Sequence, residues 1–250
     1  MSGHSKWATI KHKKGAADAK RGKIFSKLSK ELMVVARAGG SDPNNNPTLR
    51  NLIQKAKSVN MPGDNVDRAI KKGAGELEGA VFEEIVYEGY AGGGIGLIVE
   101  VLTDNKNRAA AEVRHTFNKH GSSFAAPGSV SRGFQRKGQI FVEAKSADED
   151  KLMALVLDAG ADDLKQAGDQ FEILTDPAAF ADVAQALEKA GFKPTSAEVS
   201  LVPQTYVPVA DKALATSVLK FVSELEDNDD VKNVYTNMDV DENTLKELDK

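Results

Sequence analysis

Lys20-Arg21-Gly22-Lys23-Ile24-Phe25-Ser26-Lys27-Leu28-Ser29-Lys30-Glu31-Leu32-Met33-Val34-Val35-Ala36-Arg37 carries two helical patterns at once. Ile24, Phe25, Leu28, Leu32, Val35 and Ala36 recur at helical spacing and share one arc of a helix over residues 16–38, which Gly39-Gly40 ends. Lys20, Lys23, Lys27 and Lys30 recur at intervals of three, four and three and fall on a second arc beside it. One face can pack while the other presents ammonium groups, which suit phosphate rather than a base edge.

On either side of this stretch the charge keeps its sign. Lys6, Lys11, Lys13, Lys14 and Arg21 add to the same end of the chain, and Trp7 among them offers either a surface for base stacking or an anchor for the arm. Residues 1–75 hold 16 Lys+Arg against 5 Asp+Glu, a balance of +11, and the other 17 and 32 give residues 76–250 a balance of −15. The formal net charge of −4 conceals both. An asymmetry of this kind points to a nucleic-acid-facing segment.

Beyond the turn-rich Ser41-Asp42-Pro43-Asn44-Asn45-Asn46, Pro47 opens a second amphipathic helix with Leu49, Leu52, Ile53, Ala56 and Val59 on one face. Met61-Pro62-Gly63 interrupts it. Asp64 is the expected cap of a short third helix through Lys72, on which Arg68, Lys71 and Lys72 sit together, and Gly73-Ala74-Gly75 starts the linker out of a three-helix domain. The helix-turn-helix signal across residues 47–72 is weak, because Met-Pro-Gly replaces the tight turn.

From residue 82 strands and helices alternate. Strands are expected at Glu83 to Tyr90, Leu97 to Leu102, Gln139 to Val142, Phe171 to Leu174, Glu198 to Val202 and Val231 to Thr236. Helices are expected at Ala109 to His120, Lys151 to Ala159, Pro177 to Ala190 and Lys212 to Leu225. Gly92-Gly93-Gly94-Ile95-Gly96 joins two strands and lacks the Lys-Ser/Thr of a phosphate loop, so it reads as a hairpin turn. Asp104 or Asn105 caps the next helix, where Lys106 and Arg108 offer a further phosphate contact.

Several functions lack their residues. Cysteine is absent, and His4, His12, His115 and His120 have no ligand spacing or triad and read as surface residues. The acidic group Glu224, Glu226, Asp227, Asp229 and Asp230 has no calcium-loop spacing and reads as a helix end leading into a turn. No catalytic residue, metal or cofactor is expected. No apolar stretch approaches the roughly 20 residues of a membrane span, and the polar start Met1-Ser2-Gly3 does not read as a secretory signal, so a cytoplasmic protein without membrane contact is expected.

Gly3-His4-Ser5-Lys6-Trp7 with Ile10-Lys11-His12, Met61 to Val66 with Arg68 to Gly73, and Tyr87-Glu88-Gly89-Tyr90 together resemble the YebC/PmpR family. Gly128-Ser129-Val130-Ser131, Ala159-Gly160-Ala161-Asp162-Asp163 and Leu225 to Val231 extend the resemblance over nearly the whole chain. Arg132-Gly133 departs from it, standing where a bulky residue is expected. The family includes the mitochondrial translational activator of cytochrome c oxidase; this chain starts directly at the motif and looks like a bacterial member.

The resemblance implies a multidomain α/β (α+β) fold, in which a three-helix domain precedes two small α/β sandwich domains, the third inserted in the second. The expected boundaries are 1–78, 79–130 with 205–250, and 131–204. It implies a non-enzymatic DNA-binding transcriptional regulator, or alternatively a ribosome-associated factor that binds ribosomal RNA and relieves stalling on proline-rich sequences. DNA and/or ribosomal RNA would meet residues 1–78 at Lys6, Trp7, Lys11, Lys13, Lys14, Lys20, Arg21, Lys23, Lys27, Lys30, Arg68, Lys71 and Lys72, leaving the acidic domains for protein partners.

Overall fold

The computed structural model describes residues 18–240 and 244, and only the backbone of residues 18–21 and 146. Helix α1 (Asp18–Gly39) packs against α2 (Pro47–Ser58) and α3 (Gly63–Gly73) around Leu28, Leu32, Leu49, Ala56, Met61, Val66 and Ala69. Ile24, on the edge of the apolar arc, stays exposed. Asn46 organises the first corner. Its side-chain oxygen accepts from Leu49 N at 3.1 Å, capping α2, while its amide donates to the carbonyls of Val35 (3.1 Å) and Gly40 (2.9 Å). The α3 cap differs from expectation. Pro62 holds that position without a side-chain bond, and Asp64 lies inside the first turn, where its charge complements the helix dipole.

A four-stranded antiparallel sheet follows, in the order β3-β1-β2-β9, from β1 (Glu83–Ala91), β2 (Ile95–Thr103), β3 (Ser123–Ala125) and β9 (Val231–Thr236). β1 and β2 form a hairpin over Gly92–Gly94, where Gly93 and Gly94 take φ of 74°. Helices α4 (Lys106–Lys119) and α7 (Lys212–Asp227) cover one face and bury Val113, Phe117, Phe221 and Val222 against Leu97, Val99 and Val101. Asn105 rather than Asp104 caps α4, accepting from Arg108 N at 3.1 Å. Strands β8 (Val207–Val209) and β10 (Met238–Val240) pair in parallel beside this layer.

Between β3 and β8 the chain makes a complete excursion: β4 (Phe134–Glu143), α5 (Glu149–Asp158), β5 (Ala161–Ala167), β6 (Gln170–Thr175), α6 (Phe180–Lys189) and β7 (Pro194–Pro203). Its sheet order is β5-β6-β4-β7, antiparallel throughout, which is the βαββαβ ferredoxin-like arrangement. Ile140, Val142, Ile173, Leu152, Val156 and Leu187 form its separate core. The excursion leaves and returns at one place, since Phe134 pairs with Pro203 and Gln204 N donates to Gly133 O at 2.8 Å. The expected α+β layout with an inserted unit is thus present.

Glu88 fixes the base of the insertion. This buried carboxylate on β1 accepts from the backbone N–H groups of Gly128 (2.8 Å), Val130 (2.6 Å) and Ser131 (3.0 Å) and from the Ser131 hydroxyl (2.8 Å). Burial pushes its carboxyl up, but these four donors outweigh that and hold it below the ordinary range. Val130 and Phe134 are thereby set against Ile98, so the bulk missing at Arg132-Gly133 comes from their neighbours.

Candidate nucleic-acid interface

The three described lysines of the α1 row do not face open solvent together; they meet the C-terminal end of α7 and the turn at residues 226–230. Lys27 Nζ donates to Glu226 O at 2.5 Å, Lys23 Nζ to Asp227 O at 2.8 Å, and Lys30 Nζ to Asp229 O at 2.9 Å. Carbonyls at a helix C-terminus lack intrahelical donors and carry the negative end of the helix dipole, so cations complete them. Carboxylates add to the contact. Lys23 lies 3.7 Å from the Asp227 carboxylate, and Lys30 Nζ donates to Asp230 Oδ1 at 2.7 Å.

Asp230 is the inner anchor. Its second oxygen accepts from Thr103 Oγ1 at 2.8 Å and Arg108 at 2.7 Å. Burial pushes its carboxyl up, but the hydrogen bonds from Lys30, Arg108 and Thr103 prevail and hold it below the usual carboxylate range. Lys30 also stands 5.6 Å from the centre of the Phe82 ring. A polar cleft of about 440 Å³ runs along this seam, lined by Lys23, Ser26, Lys30, Arg108 and the 227–230 turn.

Arg68, Lys71 and Lys72 of α3 are placed differently. Arg68 and Lys71 are exposed and Lys72 is half-buried, and among the described residues none has a carboxylate within 4.0 Å. Lys106 and Arg108, the further phosphate candidates, are both paired with acids: Lys106 with Glu83 at 2.5 Å, and Arg108 with Asp104 at 2.8 Å as well as with Asp230. Lys6, Trp7, Lys11, Lys13 and Lys14 lie outside the described residues, as do the side chains of Lys20 and Arg21.

Sequence reasoning missed the turn at 226–230 as a counter-surface. Its four acids, with Glu224 before them, signal a charged helix end, but the carbonyls that take most of the lysine bonds leave no mark in a sequence. His120, expected at the surface, is instead stacked on Phe221 at 4.9 Å and bonded to Glu224 at 2.9 Å. His115 is exposed. No group of three or more His, Asp or Glu among the described residues is placed to hold a metal ion, and no described helix is long and apolar enough to cross a membrane.

A basic three-helix unit ahead of two α/β units, one inside the other, also describes known proteins. A solved structure of a conserved hypothetical protein from Aquifex aeolicus superposes with a TM-score of 0.85 at 46% identity, over 95% of this chain and 98% of that one. A probable transcriptional regulatory protein of Geobacter sulfurreducens is 55% identical over 248 residues, 99% of this chain and 100% of its own length. One of Dictyoglomus thermophilum is 51% identical over 249 residues, 99% and 100% of the two chains. The TACO1/YebC protein N-terminal domain matches residues 5–76, and the TACO1/YebC second and third domain matches residues 82–238. With the Glu88 clamp, the inserted sheet and the basic helices all inside the matched segments, the chain belongs to the TACO1/YebC family.

Proposed function

We propose that this protein is a non-enzymatic, DNA-binding transcriptional regulator whose residues 1–78 supply the contacts to the phosphate backbone. The observation that carries the reading is the concentration of +11 charge in the first 75 residues, with Arg68, Lys71 and Lys72 left without acidic partners among the described residues. The names of the Geobacter and Dictyoglomus relatives favour transcription over the ribosomal alternative. Lys6, Lys11, Lys13, Lys14, Lys20, Arg21, Lys23, Lys27 and Lys30 join them on this reading, and Trp7 stacks on a base or anchors the arm. Three separate apolar clusters support functional units at 1–78, 79–130 with 205–250, and 131–204, the two acidic units being open to protein partners.

Phosphate binding by Lys and Arg releases counterions, so affinity falls with salt by about 0.9 in the log-log slope for each phosphate contact. Replacing Arg68, Lys71 and Lys72 together with Ala should flatten that slope by about 2 to 3 for duplex DNA and weaken unrelated sequences equally. An unchanged slope and affinity would refute the assignment of these residues.

A further inference from the structure

We propose that the 226–230 turn is a built-in competitor for nucleic acid: it occupies the lysine row of α1 in the state described here, and the row binds phosphate only when the helical unit swings away from it. This rests on reading residues 1–78 as the nucleic-acid surface and adds its regulation.

Three observations carry it. The first is identity of chemistry. Lys23, Lys27 and Lys30 each hold anionic or carbonyl oxygen of the turn at 2.5 to 2.9 Å, which is what a phosphate oxygen would take from the same ammonium groups. An N–H committed to the turn is not available to a nucleic-acid backbone. The second is reach, since Lys23 and Lys30 stand seven positions apart on the helix, roughly 10 Å, and the turn covers all three lysines.

The third is a gradient along the seam. At the rim, the Lys23 and Asp227 side chains are 45% and 59% exposed, so their ion pair exchanges with solvent and salt at little cost. At the inner end, Lys30 and Asp230 are 15% and 5% exposed and are tied into Arg108 and Thr103. A polyanion can therefore displace the contact from Lys23 inward, across a polar cleft rather than a packed core. Arg68, Lys71 and Lys72 stand outside the seam and make first contact with the duplex whether it is open or closed.

The chain has no cysteine, so two introduced thiols define a single crosslink. Ser26 and Asp227 both line the cleft. The S26C/D227C protein is to be closed with a short bis-maleimide, and its binding to duplex DNA compared with the same protein uncrosslinked, across a salt series. The proposal predicts that crosslinking weakens binding about tenfold or more and lowers the salt slope by about 3, the loss of three phosphate contacts. The K23A/K27A/K30A chain should show the same loss without a crosslink. Equal affinity and slope with and without the crosslink would overturn gating while leaving the nucleic-acid reading in place through Arg68, Lys71 and Lys72. Failure of the uncrosslinked and natural chains to bind any duplex would overturn both.

Discussion

At the scale of single residues, Glu88 shows how one carboxylate can hold two units in register. Its four donors come from residues 128–131, the segment that leads into the inserted sheet, so removing the acceptor leaves three backbone N–H groups without it. The Glu88→Ala chain should lose about 3 kcal/mol of stability in urea denaturation at pH 7, since each buried donor left unpaired costs about 1 to 3 kcal/mol and some will find water. The sign with pH follows from its lowered carboxyl. The contribution of Glu88 is fully present above the ordinary value of 4.5 and is lost as pH falls through the lower folded value. The natural and Glu88→Ala chains should therefore converge in stability under acid, and a difference that persisted unchanged below pH 4 would contradict the charged role of this side chain. The sequence offered Tyr87-Glu88-Gly89-Tyr90 and Gly128-Ser129-Val130-Ser131 as two separate motifs; the bond between them spans some 40 residues and no local pattern encodes it.

Elements are legible where apolar residues mark them strongly. The apolar arc of α1, the nearly continuous apolar run of β2, buried on both faces, and the periodic α7 all appear within a few residues of their expected bounds. β5 carries no strand pattern in the sequence, because Asp162, Asp163, Lys165 and Gln166 leave only Leu164 and Ala167 as its buried positions, and as an edge strand it is held by pairing with β6 alone. Helix α6 begins at Phe180 rather than Pro177, since the Asp176 side chain accepts from Ala178 N at 2.9 Å and makes a separate turn first. Elements pack closely at Gly73, where a β-carbon would stand 2.3 Å from Met33 O and 2.8 Å from its Cα. The Gly73→Ala chain gains up to about 1 kcal/mol in helix propensity but must push α1 and α3 apart, which costs more. A net loss of about 2 kcal/mol in thermal or urea unfolding is expected, and a stabilised variant would show that the two helices do not approach so closely.

For the whole molecule, the opposition of charge between the first 75 residues and the rest is both a composition and a contact. The sequence reads as a basic surface for a polyanion and an acidic remainder, and the structure puts part of one against part of the other. Glu31 marks the same meeting of units: burial pushes its carboxyl up, Lys55 and Lys232 draw it down, and Glu198 and Glu100 add to the rise. Groups from the helical unit, the central sheet and the inserted sheet thus act on one side chain, a convergence that no linear reading anticipates because it depends on how three units pack. On this account the acidic units do more than repel non-specific nucleic acid; they hold part of the binding surface until a polyanion displaces them.

The most direct measurement is ultraviolet crosslinking in living cells, followed by purification under denaturing conditions and sequencing of the attached nucleic acid, with the K23A/K27A/K30A/R68A/K71A/K72A chain as control. The account predicts promoter DNA enriched with the natural chain and lost with the variant. Ribosomal RNA concentrated at one site, with no enrichment of DNA, would contradict it.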